Sequence, residues 1–489
     1  MKRPDDLKII IMSATIDVEQ FRSFFPGCAV AIVQGSNHNV DIMYLPKPVD
    51  DMVTDIVYLV IQIHLTGCDG DILVFVSGTG MIYKIIEMVE LIMDGNDKLA
   101  GRFKSDDIGP LDCYPLHSTL SPADQKKAVH SIAPGPRNGN PGRKLIVATN
   151  IAETSLTIVG VAHVIDSMKV KASIWNPEDE SWALREQNVS KAVASQRSGR
   201  AGRTRDGVTY RMCTQTGYHA ALSDFTVPEM QNGDMIQEVL DILRMGRHPF
   251  TFPYMSAPST EVIVKALGIL SAFDAIRVSS LGLEITKRGV AISRLPANVY
   301  HAVMLLESPR FGCQDETLSL VAMLEASEGG RILFIDGHDK DNQTKVQGTR
   351  QKFDQASGDH IVLINIYLAY REACRFQKRN SFIQENHLLG SVLKTADSTR
   401  QQLLSYLCNE AKDIWTPGCT SPENPRFYTQ VLGALASSYF LRVAKRVKPA
   451  REHMKHESIL WETVRHSTMA RITKDYCQPR DNCEWIVYE

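Results

Sequence analysis

The sequence has little net charge, no paired cysteines and no long apolar run. Its 54 Lys and Arg against 56 Asp and Glu leave a formal charge of −2. No global basic field marks a nucleic-acid binder, so any such site must be a local groove. The 10 cysteines form no CxxC pair and no His/Cys ligand spacing. That argues against a zinc site and fits a reducing compartment. No apolar run reaches the ~18 residues that a membrane-spanning helix needs, so no membrane contact is expected. The opening MKRPDDLKIII lacks a signal-peptide layout, because charged residues precede its short apolar run. Repeats and low-complexity tracts are absent. So is a GxxxxGK[ST] phosphate loop or any glycine-rich loop after the first apolar run, which argues against an ordinary doubly wound nucleotide enzyme. What remains is a composition of 44% apolar and 22% charged residues, that of a soluble globular chain. At 489 residues it is too long for one core and suggests three or four domains.

The most informative stretch is Ser190 to Arg205, SKAVASQRSGRAGRTR. Gln196, Arg200 and Arg203 stand at i, i+4 and i+7, a spacing that puts them on one face of a helix. Gly199 and Gly202 lie between them and leave room for another group near the backbone. One amide and two guanidiniums on a cleared face suit an anion with several oxygens, most simply a phosphate chain. A solvated basic helix end is the plainer explanation of an Arg-rich run, but it gives the Gln and the glycines nothing to do.

QRSGRAGR resembles motif VI of the DEAH-box RNA helicases, whose Gln and two arginine fingers meet the γ-phosphate of ATP. The resemblance assigns those catalytic roles to Gln196, Arg200 and Arg203, and places Gly199 beside the nucleotide. RKLIVATNIAETSLTI is similar, nearly letter for letter, to motif V of the same family. By that likeness Thr149 and Asn150 meet RNA, and Ser155 and Thr157 lie between the RNA and nucleotide sites. Leu116 to Leu120, LHSTL, resembles the segment that sets a hydroxyl on the RNA backbone, which implicates Ser118. RPDDLKIIIMSATID resembles motif III, giving Ser13 and Thr15 a coupling role between hydrolysis and lobe movement. The family's P-loop and D-E-A-H segment precede that motif, and neither occurs in this sequence. Val129 stands near a position where many relatives stack an aromatic ring on adenine, and Val159 where many reach the ribose with an acid.

Apolar patterning gives the elements. Leu7–Met12 reads as a buried strand, as do Asn39–Leu45, Asp71–Val76, Lys144–Thr149 and Val161–Asp166. Asp50–Leu65 and Met81–Met93 have helical spacing, so the pattern is a parallel sheet with helices on both faces. ILVFVSG resembles motif IV and reads as packing. Ser167–Val189 reads as a hairpin. Beyond Thr214, helices are expected at Met230–Gly246, Glu261–Phe273, Asn298–Ala326, Ile361–Cys374 and Leu388–Cys408, with a β-like link at Leu281–Thr286. Gly329–Ser357 reads as a loop and Val443–Lys455 as a basic linker. The resemblance extends over nearly the whole chain. It implies an α/β fold: the end of a first RecA-like lobe at 1–37 and a second RecA-like lobe at 38–215. A winged helix at 216–286, a helical ratchet domain at 287–443 and a truncated OB-fold at 444–489 complete the expected layout.

The expected function is that of an ATP-dependent RNA helicase, using ATP with Mg2+, acting on RNA in pre-mRNA processing in the nucleus. Glycine-patch activators or spliceosomal proteins are the expected partners. The isolated chain, lacking a P-loop, is expected not to hydrolyse ATP. The alternative is a non-catalytic RNA-binding or adaptor protein of the same ancestry; the alternative location is the cytoplasm.

Overall fold

A computed structural model describes residues 8–13, 15–33, 38–66, 69–95, 109–154, 156–279, 282–335, 340–353, 358–420, 424–447, 459–472 and 483–488. The chain divides into two units, Met1–Ile174 with Ala183–Glu229, and Trp175–Trp182 with Met230–Glu489.

The first unit opens with a short helix, α1 (Val18–Phe24), capped by the Asp17 carboxylate on the Gln20 amide. Its six-stranded sheet comprises β1 (Val40–Tyr44), β2 (Asp71–Phe75), β3 (Leu111–Leu116), β4 (Arg143–Ala148), β5 (Val161–Asp166) and β8 (Gly207–Arg211). The order is β1-β8-β5-β2-β4-β3, and every pairing is parallel. A parallel sheet covered on both faces needs largely apolar strands, and β2, β4 and β5 are buried at every residue. Alternate side chains serve opposite faces. Ile72, Val74, Leu145, Val147 and Ile165 pack with α2 (Met52–Leu65) and α3 (Thr79–Met93). Leu73, Phe75, Ile146, Ala148 and Val164 pack on the other side with α4 (Pro122–His130) and α5 (Ile151–Thr154). Helix starts follow their caps: Asp51 accepts from Val53 N, and Ser121 accepts from Asp124 N with Pro122 in the first turn. A hairpin follows β5, made of β6 (Lys169–Asn176) and β7 (Ser181–Asn188). Then come α6 (Lys191–Ser198), β8, α7 (Gln215–Ala221) and the single turn α8 (Glu229–Asn232).

The second unit takes in the hairpin end Trp175–Trp182 and the helical part of the chain. Two helices, α9 (Ile236–Arg244) and α10 (Thr260–Ala272), pack beside a two-stranded ribbon, β9 (Ile276–Ser279) and β10 (Gly282–Ile285), and α11 (Lys287–Arg294). The next helices are α12 (Val299–Phe311), α13 (Gln314–Ser327), α14 (Lys340–Phe353), α15 (Asp359–Arg375), α16 (Arg379–Glu385), α17 (Gly390–Glu410) and α18 (Phe427–Ser438). They share one core, in which α13 and α12 are buried almost all round. An antiparallel sheet ends the unit, built from β11 (Val443–Val447), β12 (Leu460–Thr463), β13 (Met469–Ala470) and β14 (Trp485–Val487), in the order β13-β12-β11-β14. Among the described residues no pairing joins β13 to β14. The hairpin turn is held by Lys265 on the Pro177 carbonyl and by Arg465 on Glu180 at 2.8 Å.

Several expectations need correction. Of the apolar run Leu7–Met12, Leu7 lies outside the described residues and the rest has no regular secondary structure, with Ile10 78% exposed. A buried parallel strand needs neighbours on both sides, and this segment has none among the described residues. The stretch Gly329–Ser357 is not all loop, because α14 occupies Lys340–Phe353. Asn298–Ala326 is two helices, since Gly312 turns left-handed (φ 68°) between α12 and α13. The helix expected from Met230 starts at Ile236, after a left-handed Met235. The first five residues of Val443–Lys455 form β11 rather than a linker, and Lys448 to Lys455 lie outside the described residues.

Candidate functional site

β4 and β3 are neighbours, with Leu116 opposite Ala148 at their carboxyl ends. The chain leaves both strands there. Thr149 donates its amide to the Leu116 carbonyl at 3.2 Å, and Asn150 begins the turn into α5 with its carbonyl accepting from Glu153 N at 3.0 Å. Ser118 sits two residues past β3 in its own turn, exposed, as is Asn150. Ser118, Thr149 and Asn150 therefore share one edge of the sheet, where folds of this class bind ligands. Ser155 lies outside the described residues.

The stretch Gln196–Arg203 is not one helix. The Ser190 hydroxyl accepts from Val193 N and starts α6, which ends at Ser198. Gly199 N still reaches Ser195 O at 2.9 Å, but Arg200 N and Ala201 N bond three residues back, to Arg197 and Ser198. Gln196 is thus helical, while Arg200 and Arg203 follow in the turn that leads to β8. Glycine disfavours helix by about 1 kcal/mol relative to Ala, and two in four residues end it here. Gly202 makes room for the protein itself: a Cβ there would stand 2.7 Å from the His38 carbonyl oxygen and from Val40 Cγ2. A Cβ at Gly199 would make only ordinary contacts, 3.5 Å and 3.6 Å from two carbonyl oxygens of its own helix.

Three pairs of sequence-predicted residues meet. Gln196 Nε2 donates to Thr15 Oγ1 at 2.5 Å, and Thr15 N is itself bonded to Ser13 Oγ at 3.2 Å. Arg203 Nη1 donates to Thr157 Oγ1 at 2.8 Å, at the far end of the 149–157 segment. Arg200 is 5% exposed, and its two terminal nitrogens donate to the main-chain carbonyls of Glu153 and Leu156. Burial, with Arg203 nearby, pushes its pKa down to about 10, against the pull of Glu153. The segment after β4 therefore carries Thr149 and Asn150 at one end and is held by two arginines at the other.

Sequence reasoning missed Arg197. Its side chain is fully buried, with Nε 2.8 Å and Nη2 2.5 Å from Glu153 Oε1, and Nη1 2.8 Å from Asp166 Oδ1. Burial disfavours its charge, but Asp166 and Glu153 outweigh that and hold its pKa above the ordinary value. Asp166 ends β5, Glu153 lies in α5 and Arg197 in α6, so one guanidinium ties three elements together. The signal was present as two carboxylates, one at the end of an apolar strand and one in the IAET turn. Nothing in the spacing says which arginine of the run they hold.

Val129 is buried among Leu116, Ile146 and Ala148 on one face of the sheet and offers no ring. Val159 stands 66% exposed in the turn before β5. Among the described residues no group of three or more His, Cys, Asp or Glu could hold a metal ion, and no helix is long and apolar enough to cross a membrane.

Residues 55–205 match the helicase conserved C-terminal domain, and residues 298–363 match the ratchet-like helicase associated domain, HA2. Over all of its length the chain is 30% identical to the pre-mRNA-splicing factor ATP-dependent RNA helicase prp22 of Schizosaccharomyces pombe, covering 40% of that protein. It is 32% identical over 91% of its length to the human probable ATP-dependent RNA helicase DHX35, covering 60% of it. The chain thus spans less than two thirds of these relatives. The crystal structure of the E. coli DExH-box NTPase HrpB shares its fold, with a TM-score of 0.66 and 22% identity over 98% of this chain and 48% of that one. The two domain matches and the two relatives support reading this chain as the C-terminal portion of a DEAH-box helicase.

Proposed function

We propose that this chain supplies the RNA-gripping edge and the phosphate-facing turn of an ATP-dependent RNA helicase that remodels RNA during pre-mRNA processing in the nucleus. The observation that carries this is the segment after β4. Thr149 and Asn150 stand with Ser118 at the carboxyl edge of β3 and β4, and Thr157 at its other end is bonded to Arg203. One short segment thereby joins polar groups suited to an RNA backbone with cations suited to a triphosphate.

The fit to ATP rests on side chains of this chain. Arg203 is exposed, Gly199 is not required by the chain's own packing, and Arg200 lies beside both. Gln196, Arg203 and Thr157 are the residues that would face the triphosphate, with Arg200 holding the main chain at Glu153 and Leu156. ATP, bound with Mg2+, would supply the free energy of phosphoanhydride cleavage. Arginine in this role stabilises charge that develops on the transferring phosphoryl group and is worth about 10³–10⁵ in rate when the rest of a site is present. A P-loop to grip the phosphates does not occur in these 489 residues. The isolated chain is therefore expected to hydrolyse no ATP, with or without RNA. RNA-stimulated hydrolysis by the pure chain, abolished in Arg200→Ala, overturns that expectation. Glycine-patch activators or spliceosomal proteins are the partners this reading implies. The relative named as a splicing factor supports the spliceosomal part of that reading.

A second reading, a non-catalytic RNA-binding adaptor, draws on Val129 and Val159, which leave adenine and ribose without the usual groups. Binding of labelled ATP by the chain joined to a P-loop-bearing first lobe separates the two. Saturable binding supports the enzyme, and its absence alongside intact RNA binding supports the adaptor.

A further inference from the structure

The turn that carries Ser118 is held by groups that no motif points to. His117 is only 2% exposed, although its neighbour Ser118 is at the surface. Its ring bridges two elements: Nε2 is 2.9 Å from the Tyr83 hydroxyl of α3, and Nδ1 is 2.8 Å from Thr119 Oγ1. The Tyr83 and His117 rings meet edge to face, with centroids 5.6 Å apart. From the other side, Gln125 of α4 directs its amide at three carbonyls of the same turn, Leu120 at 3.1 Å and His117 and Ser118 at 3.4 Å each. Helix capping does not explain this network, because Ser121 already caps α4 through Asp124 N. Nor does burial of the turn, since Ser118 itself stays exposed.

We propose that Tyr83, His117 and Gln125 are positioning residues that fix the 117–120 turn, so that the Ser118 hydroxyl is presented to an RNA phosphate beside Thr149. The inference rests on the RNA-binding reading above. A hydroxyl on an unrestrained turn would lose conformational freedom on binding RNA. A turn already locked by Tyr83, His117 and Gln125 has lost it on folding. The Leu116 carbonyl, at the end of β3 just before the locked turn, accepts the Thr149 amide.

The test is a double-mutant cycle on the full chain, read by fluorescence anisotropy of a labelled single-stranded oligouridylate. Tyr83→Phe removes one hydroxyl and keeps the ring. It should weaken RNA binding roughly 3- to 10-fold, the worth of one hydrogen bond that orders a contact. The slope of affinity against salt should not change, because no charge is lost. In the Ser118→Ala background the same substitution should have no further effect. Gln125→Ala should behave alike and serves where Tyr83→Phe lowers the melting temperature. Additive losses, or a changed salt slope, overturn the positioning role. So does wild-type affinity in Tyr83→Phe and Gln125→Ala while Ser118→Ala is weak, an outcome that leaves the RNA reading standing. Absence of RNA binding by the wild-type chain overturns that reading, and this inference with it.

Discussion

Arg197 and Arg203 lie six positions apart in the same arginine run and answer to different physics. Arg197 is sealed between Glu153 and Asp166, so Arg197→Ala leaves two carboxylates without their cation in a buried site. Removing one member of such a cluster costs about 3–5 kcal/mol, so urea unfolding of Arg197→Ala should show a large drop in midpoint. Arg203 is exposed and makes one hydrogen bond to Thr157, so Arg203→Ala should leave the midpoint within about 0.5 kcal/mol of the parent. A reversed ranking contradicts these assignments. Two histidines of the first unit add a pH dependence. Burial first, and then the nearby Arg143, hold the pKa of His64 and His163 below the ordinary value. The unfolded chain takes up their protons near pH 6.5 and the native one does not. Stability should therefore fall as pH drops below about 6.5 and recover as it rises back through that value. Asp71 in the same region is shifted upward by burial and works the other way at more acid pH. Urea midpoints that stay flat between about pH 7.5 and pH 5 count against this account of the two rings.

Among the elements, β2, β4 and β5 were legible in the sequence because a strand buried on both faces is largely apolar, with charged residues only towards its ends. The same fact sets their sensitivity: Ile146→Ala, at 0% exposure in β4, should destabilise the first unit by about 2–5 kcal/mol in a urea titration. β3 was not legible. It is the edge strand of the sheet and reads LDCYPL, mixing polar residues with a proline that only an edge tolerates. β8 was hidden because it directly follows the arginine run, whose spacing reads as helix. The i, i+4, i+7 spacing was real, but it could not reveal that the helix stops at Ser198. α14 was hidden by composition, since KDNQTKVQGTRQKF has almost no apolar periodicity. Gly202 shows a similar limit. Its spacing beside two arginines suggested room for a ligand, and the structure gives that room to His38 and Val40. Gly202→Ala should therefore lower the melting temperature, while Gly199→Ala should leave it near the parent value. Equal effects contradict this packing around the two glycines.

Taken as a whole molecule, the chain has a sheet-based unit carrying the motifs and a largely helical unit in which residues 298–363 match the ratchet-like domain. The family resemblance was legible because the diagnostic residues sit in short unbroken runs. Their contacts were not, because partners such as Thr15 with Gln196 lie 181 residues apart in sequence. With a net charge of −2, the proposed affinity for RNA rests on local contacts rather than on the overall field, and the proposal puts those contacts at the edge of β3 and β4. The most direct measurement is the affinity of the chain for single-stranded RNA across salt concentrations. Binding should weaken with salt, with a log–log slope of about −0.7 for each phosphate neutralised, and Thr149→Ala and Ser118→Ala should each reduce it. No binding at low salt, or binding that neither substitution alters, contradicts the account.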